Sequence, residues 1–142
     1  MPKRTQLVGA LLVRDGAVLL GWRGPQRRSF PSCWDVIGGH VERGETLEQA
    51  LFREVEEEVG VTPTRYARLA SADVDDALRL TVYRVDAWSG GEPALRGDEH
   101  TELRWFPFEA ACELTDLASP RYRTLFRGLS RARAVRPADP TR

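Results

Sequence analysis

The stretch from Gly39 to Val61, GHVERGETLEQALFREVEEEVGV, constrains this chain more than any other segment. Residues 46–59 read as a helix. Thr46 is a good N-cap and Gln49 stands at the third helical position, the two halves of a capping box. Gly60 suits the C-terminal stop. With about 100° between successive residues, Leu47, Ala50, Leu51, Phe52, Val55 and Val59 form one broad apolar arc that needs a core to bury it. Gln49, Arg53 and Glu56 fall opposite and are expected to face water. Glu54 and Glu58 do not join them. They fall inside the arc near Leu47 and Leu51, with Glu57 at its edge beside Ala50. Glu48 also lies near the arc, at the helix start, where the dipole favours an acid.

Carboxylates on the inner face of a helix are costly unless something compensates them. Glu54 and Glu58 also repel each other as an i,i+4 pair, by roughly 0.2–0.5 kcal/mol even when exposed. A divalent cation removes both penalties, and Mg²⁺ binds through one or two carboxylates together with substrate phosphates. The bland alternative is a solvated acidic face holding a salt bridge or two. The inward register of Glu54 and Glu58 argues against it.

The same stretch resembles, at every specified position, the signature box of the Nudix (MutT-like) hydrolases: a glycine, five residues, a glutamate, seven residues, then R-E-U-x-E-E-x-G-U with U aliphatic. Here these are Gly39, Glu45 and Arg53 to Val61. The resemblance implies hydrolysis of a nucleoside diphosphate linked to another group, with Mg²⁺ or Mn²⁺. It implies an α/β/α sandwich, a mixed β-sheet between helices, with the box helix on one face. It implies metal ligation by Glu54, Glu57, Glu58 and the Gly39 carbonyl. Arg53 would pin the catalytic glutamate, and Glu45 would close the loop onto the helix. Many members carry a further glutamate just before the last strand, completing the metal site or acting as general base. Glu99 fits that place best and Glu102 second. An arginine at the end of the second strand, here Arg23, grips substrate phosphates in several members, a task its planar fork suits.

Around the box, Asp15-Gly16 is a hairpin signal between strands at residues 6–13 and 17–22. Residues 24–32 are a polar loop, and 34–37 a short strand feeding Gly38-Gly39, glycines that permit close backbone approach. Strands are expected at 65–74 and 78–88 around Asp75-Asp76, and a last one at 101–106. A helix begins after Pro107 over 109–114, and another covers 122–129. Strands mixed with two or three helices indicate a layered α/β domain. A single domain is expected over residues 1–130, with 131–142 a polar, fraying tail.

Trp22, Phe30 and Trp34 could form a base-stacking wall, against the plainer reading that aromatics beside a sheet are core. His40 is near enough to the box to touch a phosphate. His100 carries no assigned role, and Cys33 reads as a small buried residue. Net charge is zero, so nothing draws the whole chain to nucleic acid or anionic membrane. The arginines at 121, 123, 127, 131, 133 and 136 lack aromatic interleaving beyond Tyr122 and Phe126, which look like a helix face, so the stretch is not expected to bind RNA. No run approaches a transmembrane span, and residues 8–13 are cut short by Arg14-Asp15-Gly16. With two cysteines out of metal spacing, the expected setting is the reducing cytoplasm. The protein would act on a small nucleotide, as a monomer or a homodimer.

Relatives specific for ADP-ribose often carry a proline just past the box, and those for diadenosine polyphosphates a tyrosine. Residues 67–82 contain no proline and no tyrosine before Val82. That points toward a (deoxy)nucleoside triphosphate, with an oxidised purine as one form. Nucleotide sugars, dinucleotides and capped RNA ends stay open. Two rivals belong to other classes. Isopentenyl-diphosphate isomerase has a stretch loosely like Trp34 to His40, but its box is usually degenerate. Non-catalytic Nudix sensors usually lose box glutamates, which are intact here.

Overall fold

The structure, a computed structural model, describes residues 5–73 and 76–131. Asp15 and Gly16 both take left-handed backbone angles, φ 52° and 75°, as a two-residue hairpin turn requires. They join β1 (Thr5–Arg14) to β2 (Ala17–Arg23), with Arg14 opposite Ala17. From Thr5 to Leu12, β1 pairs in parallel with β6 (Leu78–Ser89), and β6 pairs antiparallel with the edge strand β5 (Thr62–Asp73). On its other side β1 pairs with β4 (Ile37–His40). Strand β2 carries β3 (Cys33–Asp35) and β7 (Glu102–Pro107). One parallel pair among antiparallel ones makes the sheet mixed.

The expected single strand over 34–37 is in fact two. Cys33–Asp35 pairs with β2 and Ile37–His40 with β1. Val36 between them is buried, and no glycine or proline marks the break. The first helix, α1 (Leu47–Val59), is capped as its sequence indicates: Gln49 N–H donates to Thr46 Oγ1 at 3.1 Å, and Thr46 N–H to Gln49 Oε1 at 2.9 Å. Gly60 closes it in the left-handed region at φ 76°. The next helix, α2 (Phe108–Cys112), is shorter and earlier than expected, and α3 (Tyr122–Arg131) follows. The expected strand end at residue 74, Asp75, and residues 132–142 of the expected tail lie outside the described residues.

Each face of the sheet has its own core. Leu11, Leu20, Val82 and Phe106 pack with Phe108, Ala111, Phe126 and Leu129 from α2 and α3. Val8, Leu12, Leu19 and Ile37 pack on the other face with Ala50, Leu51, Val55 and Val59 of α1. The result is an α/β/α sandwich, and it puts α1 beside β4. Among the described residues no helix is long and apolar enough to cross a membrane. Two of the C-terminal arginines are used internally, Arg121 donating to the Asp73 carbonyl and Arg123 to that of Leu114.

Candidate active site

Strand β4 and helix α1 meet at two glycines. A Cβ on Gly38 would stand 2.0 Å from the Val8 carbonyl oxygen, so the β1–β4 pairing admits no side chain there. A Cβ on Gly39 would stand 2.5 Å from Glu54 Cδ, because the Glu54 carboxylate lies against the Gly39 backbone. Gly39→Ala is therefore expected to push that carboxylate aside. Overpacking of this kind costs roughly 1–3 kcal/mol. Activity should fall more than stability does, and a variant with wild-type turnover would show that the contact is dispensable.

Arg53 ties this corner together. Its Nε and Nη2 form a fork onto Glu45, at 2.7 and 2.9 Å. Nη2 also donates to the His40 carbonyl at 2.9 Å, and Nη1 to Glu54 at 2.8 Å and Glu57 at 3.3 Å. The expectation that Arg53 faces water is thus corrected. Its Cβ points outward, but the long side chain folds back over the loop, leaving only 22% of it exposed. The guanidinium, helped by the Glu42 backbone N–H, pulls the Glu45 carboxyl down to about 2.

Glu54 and Glu58 are buried, as their register requires. Burial raises Glu54, against the pull of Arg53. Glu58 Oε2 accepts from Gly38 N–H at 3.3 Å, while Oε1 is buried with no partner. Burial first, and then a hydrogen bond and charge from Glu99, push Glu58 well above the ordinary carboxylate range. Glu99 therefore stands beside Glu58, while Glu102 lies outward on β7, paired with Arg104. Glu57 is 57% exposed and turned to Arg53. Among the described residues no three His, Cys, Asp or Glu side chains are grouped so that they could hold a metal ion as they stand. Even so, the buried, unpartnered Glu58 Oε1 and the bare backbone at Gly39 leave oxygen donors for one. An all-oxygen set suits Mg²⁺ or Mn²⁺.

The remaining candidates divide. Arg23 is 8% exposed, and its Nε and Nη2 donate to the Ser29 and Phe30 carbonyls. It holds the 24–32 loop first, with Nη1 outside those bonds. Trp34 is 6% exposed, with Trp22 and Phe106 edge-on to it, so it offers no face for stacking and is core. Trp22 is half-buried against it. Phe30 is 51% exposed on strained backbone, φ 50°. The His40 side chain is exposed. Burial raises the Cys33 thiol, which donates to the Phe30 carbonyl at 3.0 Å, a setting for an inert cysteine.

Sequence reading missed His100 and Asp35. Asp35 Oδ1 accepts from Tyr122 Oη at 2.9 Å and from Val36 N–H at 2.8 Å. Burial raises its carboxyl despite those bonds and Arg23, with Glu99 adding to the rise. His100 lies beneath Glu58, and burial lowers it to about 4. The available signals were a charge inside the short strand and a glycine, Gly21, inside an apolar one.

The class such a corner defines is a hydrolase of phosphate anhydrides. A family model, the NUDIX domain, matches residues 3–128, and the chain belongs to the Nudix hydrolases, enzymes that generally use divalent metal ions. It is 32% identical over 140 residues to a CTP pyrophosphohydrolase of Escherichia coli (strain K12), covering 96% of this chain and 99% of that one. Over 60 residues it is 47% identical to the nucleoside triphosphatase NudI of the same strain, 42% of each chain. The crystal structure of a MutT NUDIX hydrolase from Burkholderia pseudomallei superimposes with a TM-score of 0.77 at 32% identity, over 89% of this chain and 98% of that one.

Proposed function

We propose that this enzyme hydrolyses a (deoxy)nucleoside triphosphate to the monophosphate and pyrophosphate, with Mg²⁺ or Mn²⁺. The observation that carries the reading is that Glu54 lies against Gly39 and Glu58 against Gly38, with Glu99 beside Glu58 and one buried Glu58 carboxylate oxygen unpartnered. The names of the two relatives, a CTP pyrophosphohydrolase and a nucleoside triphosphatase, support the substrate class.

Glu54, Glu57, Glu58 and the Gly39 carbonyl would hold the cation. When bound, it neutralises phosphate oxygens and lowers the pKa of water. Arg53 keeps Glu54 in place and, by binding Glu45 and the His40 carbonyl, fixes the loop that leads into the helix. One of the site glutamates takes the proton of the attacking water; Glu99, beside Glu58, is well placed for it. Arg23, through Nη1, and His40 would meet the outer phosphates. Trp22 and Phe30 would border the base, without Trp34.

A phosphate-release screen over nucleotides, nucleotide sugars and dinucleotides tests the substrate class. Hydrolysis of a triphosphate in ¹⁸O-labelled water then locates the attack. Label is expected in the nucleoside monophosphate or the pyrophosphate. Labelled orthophosphate with a nucleoside diphosphate would contradict the pyrophosphohydrolase reading.

A further inference from the structure

We propose that His100 is a positioning residue, its Nδ1 edge holding the Glu58 carboxylate in the orientation from which it meets a divalent cation. This goes one residue beyond the proposed function and rests on Glu58 being a metal-binding carboxylate.

The imidazole is 3% exposed at its side chain, and its Nδ1 stands 3.7 Å from Glu58 Oε2. Its Nε2 is buried without a hydrogen-bond partner. A polar ring is costly to bury without partners, and here the facing polar group is the carboxylate of Glu58. The space for the ring is made by strand β2: a Cβ on Gly21 would lie 2.5 Å from His100 Cγ. A glycine inside a strand gives up side-chain packing and backbone entropy, and at Gly21 the return is room for this ring.

The backbone on either side is tied to the elements that the ring connects. Ahead of it, Ala94 N–H donates to the Val59 carbonyl at 3.1 Å and Arg96 N–H to that of Glu58 at 2.9 Å. Behind it, Thr101 N–H donates to the Trp22 carbonyl at 2.9 Å. The ring is thereby fixed between the end of α1 and the end of β2, with Glu99 one residue away. A separation of 3.7 Å is longer than a hydrogen bond, and contacts of this kind commonly tighten when the site is loaded.

Two amide side chains separate this role from simple filling. The Asn amide nitrogen reaches the Nδ1 position, and that of Gln reaches toward Nε2. Mn²⁺ binding without nucleotide, followed by electron paramagnetic resonance, is compared for wild type, His100→Asn, His100→Gln and His100→Leu, with a thermal melt of each. Groups that orient metal-binding side chains are worth roughly 10–100-fold in metal affinity. That loss is expected for the Gln and Leu variants, with Asn restoring most of the affinity whatever its melting temperature. If Asn binds no better than Gln, or all variants bind as wild type does, the proposal is overturned; should Leu fail to fold, the Asn and Gln pair still decides. A wild type that binds no Mn²⁺ would overturn the metal reading of Glu58 itself, a different failure.

Discussion

Glu58→Gln is expected to lower kcat by about three orders of magnitude, roughly 4 kcal/mol of transition-state stabilisation, in a protein that still folds. The neutral amide has the shape of a protonated carboxyl. Without a cation Glu58 already favours that protonated state, because it is buried and has Glu99 beside it. The metal-free variant should therefore melt no earlier than wild type, while losing the charge that a phosphate-bound cation requires. Glu57→Gln should cost a similar factor. Its side chain is exposed and meets Arg53, so its fold should be indifferent to the change. Glu56→Gln is the control. Glu56 pairs with Arg96 at 2.8 Å with both side chains about half in water. Such surface pairs contribute about 0–1 kcal/mol, and turnover should be unchanged. A folded Glu58→Gln enzyme with wild-type kcat would place the chemistry elsewhere.

Much of this corner was legible from the sequence because it is local. The caps of α1 are set within a turn by Thr46, Gln49 and Gly60. The inward register of Glu54 and Glu58 follows from helical geometry alone. Angular position fixes where a Cβ points, though, and not where a long side chain ends. That is why Arg53, on the outer side of the wheel, nonetheless lies over the loop. What was not legible depends on partners far away in the chain. Trp34 is core because Trp22 and Phe106 close on it. Asp35 is held by Tyr122 on α3, and His100 fits because Gly21 on β2 makes room. The break at Val36 is hidden because residues 34–37 carry no glycine or proline to mark it.

Binding of Mg²⁺ or Mn²⁺ is expected to expel a proton and to stabilise the fold more strongly as pH rises. Burial raises Glu54 and, more strongly, Glu58 above their ordinary values, with Glu99 adding to the effect at Glu58. A carboxyl with a raised folded-state pKa contributes fully below its unfolded value, near 4.5. It loses that contribution as pH climbs toward the folded value. Metal-free protein is therefore penalised progressively above the ordinary carboxylate range. His100, lowered to about 4 mainly by burial, stays neutral in the folded protein over that window, and its titration in the unfolded chain is common to samples with and without metal and cancels in their difference. A cation stabilises the ionised carboxylates and releases the proton that Glu58 carries without it. For one proton the linkage is about 1.4 kcal/mol per pH unit. Melting temperatures with Mg²⁺ and with chelator, at about pH 6 and about pH 8.5, should diverge more at the higher pH. Titration calorimetry in buffers of different ionisation enthalpy should report the released proton directly. An equal melting shift at both pH values, with a binding heat independent of buffer, would mean that the cation does not meet Glu58.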